Sequence, residues 1–329
     1  MEQQDFSPAQ PVKLPSKTEK FIFHGEGKAL FSIVLLNVVF SIITLGLYYP
    51  WAKASYLKYT YGETEFKGGR FTFHGTGKEM FIGMIKAVLV LLLLFTVSYI
   101  SAINQKPWIA PLVYIPAMIF LFPLAIVGSL RYRLSRSSWR GIHFAYIGTY
   151  KKMLKLQIKG ILLMIVSLGI YHSWYISDLY KEILSNVRFG NIRFEYSGKG
   201  GDYFGKFIGG YHATLFTLGI YAFKWQSEMH NYIINNVKVK FEGEEKVKGK
   251  FVAQTTGSGY FFLLVGNLLI TVFTLGLGFP WTIVRTLKYY AETTDFKNRI
   301  NFDVVSQTEV SFADASGEGF ADALDFQLI

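Results

Sequence analysis

The sequence predicts an all-α polytopic membrane protein, with about six membrane helices in repeated units of about fifty residues and short β-hairpins between units. Three observations predict it: an apolar composition, uncharged runs of membrane length, and a motif that recurs along the chain. Hydrophobic residues make up 51% of the 329 and aromatic residues 17%, while charged residues make up 17%; a soluble chain carries about 25% charged residues. Mean hydropathy is +0.27. Apolar surface on this scale calls for a solvent other than water, and a bilayer supplies one. A net charge of +11 would suggest nucleic acid in a soluble chain. Here the basic residues flank apolar runs. They read as the positive-inside signal and as contacts to the lipid bilayer through anionic headgroups, with no nucleic-acid partner. The chain has no cysteine, which excludes disulfides, cysteine zinc sites and a thiol nucleophile.

In chain order, residues 1–20 form a polar tail with three prolines, Pro8, Pro11 and Pro15, and no apolar stretch. Insertion is therefore expected through the first membrane helix rather than a cleaved leader. The repeated membrane domain covers 21–304, in units near 21–70, 71–143, 144–193, 194–250 and 251–304, and an acidic tail covers 305–329. The first two units open on Phe21, Phe23, His24, Gly25 and Gly27 and on Phe71, Phe73, His74, Gly75 and Gly77, with weaker copies from Phe144, Phe194 and Phe251. Short apolar segments follow at 30–48, 153–171, 203–221 and 260–279. Each of these contains a Thr/Ser-Leu-Gly break at Thr44, Ser167, Thr217 or Thr274, and each break is followed by a tryptophan: Trp51, Trp174, Trp225 or Trp281. The unit from Phe71 instead carries two uncharged runs, 87–105 and 108–130, joined by 104–107 into a helical hairpin. Each of those runs can cross a ~30 Å hydrocarbon core. Units close in alternating segments around Gly68-Gly69 or Gly190-Asn191, the pattern of a β-hairpin.

Asn37 and Asn267 lie seven residues before Thr44 and Thr274, so each pair shares a helix face. Gly160 and Gly210 occupy the equivalent place in two other units. Helix–helix packing inside the membrane is the favoured role for Asn37, Thr44, Asn267 and Thr274, and the lining of a permeation path is the alternative. Tyr48, Trp51, Trp174, Trp225 and Trp281 are expected as interfacial anchors, with the break acting as a helix C-cap rather than an ion-holding unwound segment. His24, Gly25, Gly27, His74, Gly75 and Gly77 are read as unit entries. No other His or acid recurs beside the two histidines, so neither a metal nor another cofactor is expected. No catalytic arrangement stands out. The reading leans to a non-enzymatic envelope or scaffold element that binds lipid or protein; the alternative is a transporter or channel for a small solute or ion.

The Phe-x-Phe-His-Gly-x-Gly starts at Phe21 and Phe71, the Thr44–Trp51 element and the Gly-Glu-Gly-Phe-Ala-Asp-Ala run at 317–323 together resemble the YjgN family of bacterial inner-membrane proteins, over nearly the whole chain. The resemblance implies a multi-pass protein of the bacterial inner membrane. It implies no catalytic residue, substrate or cofactor.

Seven basic residues between Arg131 and Lys155 place that region in the cytoplasm. Alternation over six spans then puts both termini outside. Every region between units is nevertheless basic and closes in the same hairpin, which points to one shared side. A shared side would require some of the short Thr-Leu-Gly segments to be re-entrant or interfacial rather than spanning.

Overall fold

The computed structural model describes residues 17–308. The polar stretch before 17, the 317–323 run, the acids after 308 and the tail phenylalanines Phe312, Phe320 and Phe326, which are candidates to dock on the basic hairpins, lie outside the described residues.

The chain runs strand, helix, reversal, helix, strand, five times. First come β1 (Lys17–Phe23), α1 (Gly27–Ile43), α2 (Tyr49–Gly62) and β2 (Thr64–Phe66). Then follow β3 (Gly69–Phe73), α3 (Gly77–Ile103), α4 (Ile109–Ser135) and β4 (Ser137–Trp139). The third set is β5 (Ile142–Tyr146), α5 (Tyr150–Val166), α6 (His172–Ser185) and β6 (Val187–Phe189). The fourth is β7 (Ile192–Tyr196), α7 (Gly200–Phe216), α8 (Ala222–Asn235) and β8 (Val237–Phe241). The last is β9 (Gly249–Ala253), α9 (Gly257–Phe273), α10 (Phe279–Thr293) and β10 (Thr294–Asn298).

All ten strands pair antiparallel with their neighbours, and β10 returns to β1, so the sheet is a closed barrel. Closure leaves no strand edge unpaired. The turns between sets use left-handed residues, Lys67-Gly68 and Arg140-Gly141, at φ 49°, 73°, 48° and 78°, which matches the twist of two-residue hairpins. Directly opposed pairs fill the lumen: Phe21 with Phe66, Phe71 with Trp139, Phe144 with Phe189, Phe194 with Val239 and Phe251 with Phe296. The rings of Phe21 and Phe66 lie 4.8 Å apart, and those of Phe144 and Phe189 4.6 Å apart. Full burial, which Phe66, Phe189, Val239 and Phe296 reach, stabilises the fold by about 1.5–3 kcal/mol per side chain. Ile300, Phe302 and Val305 join this cluster. The segment that carries them is pinned at the turn end of the barrel. The Asn191 N–H donates to the Ser306 carbonyl (3.2 Å), the Thr308 hydroxyl to the Gly190 carbonyl (3.2 Å), and the His143 N–H to Gln307 Oε1 (2.8 Å).

The ten helices form a second ring on top of the barrel. Each packs on its two neighbours, α10 against α1 included, and among the described residues extensive helix–helix packing is confined to ring neighbours. Three seams between sets repeat one contact. Trp51 covers Gly77, Trp174 covers Gly200, and Trp281 covers Gly27, where it closes the ring. A Cβ on any of these glycines would lie within 2.5 Å of an indole atom. Each indole also meets the phenylalanine one turn on: Phe81 at 5.2 Å, Phe204 at 5.2 Å and Phe31 at 5.3 Å. The fourth seam is offset by one residue. Trp225 stands eight residues after Thr217, where the other tryptophans stand seven after their Thr or Ser. The backbone of Lys224 therefore covers Gly257, Phe223 meets Phe261 at 5.1 Å, and Trp225 turns back onto Gly210 of its own hairpin.

An all-α fold with about six membrane helices is thus overturned. The structure contains a closed ten-strand barrel, and among the described residues only α3 and α4 have the length and apolarity to cross a membrane. The segments read as four further spans each run across a chain reversal: Leu45, Leu168, Leu218 and Leu275 all take positive φ there, and each is followed by a positive-φ glycine. The segments read as isolated hairpins are pieces of one barrel, each paired on its outer edges as well.

The seams generate a test. Gly27→Ala is expected to lower thermal stability in detergent by about 1–3 kcal/mol through overpacking against Trp281. Gly201→Ala, beside which nothing lies within 4 Å, is expected to be neutral or slightly stabilising, as for an exposed helix glycine. Equal melting temperatures for the two variants would show that the seam does not hold the ring.

Candidate membrane-embedded site

Antiparallel closure sends every odd-numbered strand the same way. All five helical hairpins therefore leave one end of the barrel, and all strand turns lie at the other. Each junction is tied alike: the N–H groups of His24, His74, Ile147, Ser197 and Gln254 donate to the carbonyls of Glu63, Arg136, Asn186, Asn236 and Thr293.

The four short hairpins share one tip. The Gly46, Gly169, Gly219 and Gly276 N–H groups each reach back five residues, to Ser41, Met164, Thr214 and Thr271, at 2.7–2.8 Å. The preceding leucine N–H groups reach back three residues. This is a Schellman-type ending in which leucine takes the left-handed place that usually holds glycine. Leu45, Leu168, Leu218 and Leu275 have φ of 51°, 51°, 48° and 50°, a conformation that costs an L-residue roughly 1–2 kcal/mol. They are also 94%, 93%, 94% and 93% exposed. The Thr or Ser hydroxyl braces the turn: Thr44 donates to the Phe40 carbonyl (2.8 Å) and accepts from the Tyr48 N–H (3.0 Å), and Thr274 does the same with Ile270 and Gly278. The tip backbone is thereby satisfied internally, as an apolar solvent demands, while its most exposed side chain is leucine.

Helix lengths set relative heights. At 1.5 Å per residue, 17-residue α1 rises about 26 Å and 27-residue α3 about 40 Å, a difference of about 15 Å. That is half of a ~30 Å hydrocarbon core. If the polar link 104–107 reaches the far headgroups, the leucine tips stop near the midplane.

The residues singled out in the sequence are placed as follows. Asn37 Nδ2 lies 3.5 Å from the Ala52 carbonyl and Asn267 Nδ2 donates to Thr286 Oγ1 at 2.9 Å, so both join the two helices of their own hairpin. At the equivalent places Gly160 lies under Tyr175 and Gly210 under Trp225. Tyr48 stacks on Trp51 at 6.0 Å. His24 Nε2 meets Glu65 Oε2 at 2.7 Å and His74 Nε2 meets Ser138 Oγ at 2.8 Å, so the two histidines serve different partners. Gly25 and Gly75 sit against the rings of Phe23 and Phe73. The spanning hairpin is fastened by a capping box between Thr76 and Glu79, with Arg136 gripping Glu79 at 2.6 Å. Sequence reasoning missed the tip leucines, although their constant place before each glycine was a visible signal.

His74 lies outside the spanning segments. Burial pushes its pKa below the ordinary histidine value, helped by His143, Arg136 and Lys58. The folded value lies below the unfolded one, so this contribution to stability is complete above about pH 6.5 and is lost as pH falls from there through the lower folded value. Melting temperature is expected to drop below about pH 6.5 and to drop less in His74→Asn. Superimposable pH profiles of the two proteins would rule out this contribution.

The profile of a family described as a bacterial protein of unknown function (DUF898) matches residues 18–211 and 211–323. Inner membrane protein YjgN of Escherichia coli O157:H7 is 26% identical over 236 residues, which are 72% of this chain and 56% of that protein. The protein of the same name from Escherichia coli K12 is 32% identical over 130 residues, 39% of this chain and 31% of its own length. That of Salmonella typhimurium LT2 is 29% identical over 125 residues, 38% and 30% of the two lengths. The chain thus spans about half the length of the first relative and less of the others. No solved structure matches. With the profile covering nearly all of the described chain and the relatives named as inner membrane proteins, the chain belongs to the DUF898 family, that of YjgN, and its place is the bacterial inner membrane.

Proposed function

We propose that this chain is a non-enzymatic, lipid-binding scaffold of the inner membrane. In this reading a closed barrel on the cytoplasmic side carries four hairpins that dip into the near leaflet and one that crosses. The observation that carries it is the set of four leucine tips. A strained, fully exposed apolar residue with a self-satisfied backbone is costly in water and suited to hydrocarbon. The basic residues of the barrel and of the helix bases support a cytoplasmic position. A permeation path is disfavoured because opposed aromatic pairs and the 300–308 segment fill the barrel lumen. Asn37, Thr44 and Thr274, and the Asn267 Nδ2, also bond within their own hairpins.

The chain has no cysteine, so single cysteines report position directly. Leu45→Cys, Leu168→Cys, Leu218→Cys and Leu275→Cys, each bearing a fluorophore in nanodiscs, are expected to be quenched most by lipids brominated near the chain ends. Gln105→Cys is expected to react with an impermeant maleimide from the side opposite the barrel. Tips that react with that maleimide from either side and escape quenching would overturn the reading.

A further inference from the structure

The five odd-numbered helices can be compared one, five and nine residues after their first residue. The positions are Lys28, Ser32 and Leu36 in α1; Lys78, Ile82 and Lys86 in α3; Gly201, Gly205 and Gly209 in α7; and Ser258, Phe262 and Gly266 in α9. Only α5 has lysine at all three, Lys151, Lys155 and Lys159. Four-residue spacing stacks them on one stripe, about 6 Å apart along the axis. An open surface depression of about 680 Å³ runs along this stripe, lined by α5 alone, and its lining beyond the lysines is Leu154, Ile158, Leu162 and Leu163. All three lysines are exposed. Lys159 is held by Asp178 at 3.7 Å and lies over the Tyr171 ring at 5.9 Å. Lys151 and Lys155 form no ion pair among the described residues.

Depth orders these groups. Lys159 lies nine residues below the Leu168 tip, about 13 Å along the helix. With the tip near the midplane, Lys159 reaches the edge of the hydrocarbon. Lys155 and Lys151 lie at headgroup level, and Leu162 and Leu163 lie among acyl chains. Cations on the barrel side of an apolar surface complement a molecule with an anionic head and a hydrocarbon tail.

We infer that the α5 stripe binds one anionic phospholipid of the near leaflet. Its phosphate sits between Lys151 and Lys155, Lys159 closes the site on the tip side, and an acyl chain follows Ile158, Leu162 and Leu163. The inference rests on the membrane reading above and names the lipid class that reading leaves open.

The test uses the full chain in nanodiscs or detergent, with phosphatidylglycerol and phosphatidylcholine of matched chains titrated and binding read by native mass spectrometry. Phosphatidylglycerol is expected to bind at least about ten-fold more tightly. Lys151→Gln/Lys155→Gln/Lys159→Gln is expected to abolish that preference, and Lys28→Gln/Lys78→Gln to keep it. Lys151→Gln/Lys155→Gln leaves the Asp178 pair intact and serves if the triple variant misfolds; it is expected to lose most of the preference. An unchanged preference in the lysine variants would overturn the site, as would inorganic phosphate displacing phosphatidylglycerol at equal concentration. If the leucine tips are quenched by brominated lipid while the lysine variants bind like the parent, only this site fails. Unquenched tips in the parent chain would remove the membrane reading itself.

Discussion

Closure of the barrel constrains everything above it. Once β10 pairs with β1, strand direction alternates around the whole circle. Five excursions that start from odd strands and return into even ones must then leave by the same end. A helical hairpin that crossed fully and returned is compatible with this rule, but a single span is not. Membrane contact on this scaffold therefore comes in pairs of helices. The same closure removes every free strand edge and leaves hydrophobic burial in the lumen to hold the barrel together.

The entry motifs were legible because Phe21 and Phe71, each with its His and Gly, are near copies. The turns at Gly68 and Gly190 were legible as hairpin signals. Closure was not. β2, β4 and β6 are three residues each, too short for period-two alternation to stand out, and a β1–β10 pairing leaves no mark in local sequence. The short apolar segments were misjudged as spans because hydropathy has no sign for chain reversal. The Thr-Leu-Gly element was rightly located as a helix end, but the residue under strain is the leucine, which propensity alone would not place at positive φ. The tryptophans looked equivalent, yet a one-residue shift sends Trp225 onto Gly210 while Trp51 covers Gly77.

Departures from five-fold likeness fall into two kinds. Some are compensated in space. Gly25, Gly75, Gly148 and Gly198 each lie against an aromatic ring of the preceding strand, but in the last set the ring is replaced by Ala253 and the glycine by Thr255. Thr255 is buried and bonded to Ser227 and Asn231, so the lost ring volume is refilled by a polar network. Such a swap preserves the packing. Other departures are not compensated in this way: Lys151 and Lys155 of the α5 stripe form no ion pair among the described residues, and the α3–α4 hairpin outgrows its neighbours. Uncompensated differences on a repeated scaffold are the places where selection for stability alone gives no account.

In the arrangement proposed above, the unequal hairpins would divide the work of holding the protein in the membrane. A leucine tip at the midplane meets only hydrocarbon on the way in and on the way out, so burial area alone sets its insertion. The long hairpin ends in Asn104, Gln105 and Lys106. A charged side chain at the bilayer centre costs on the order of 2.5–3.5 kcal/mol on insertion scales, and the polar amides must cross with it. That barrier opposes entry and, once passed, equally opposes withdrawal. In that arrangement the α3–α4 hairpin would act as a kinetic anchor. The Thr76–Glu79 capping box and the Arg136–Glu79 ion pair fasten the base of that hairpin; the glycine–tryptophan seams at Gly77 and Gly27 tie it through α1–α2 to α9–α10, and α4 packs on α5 on its other side.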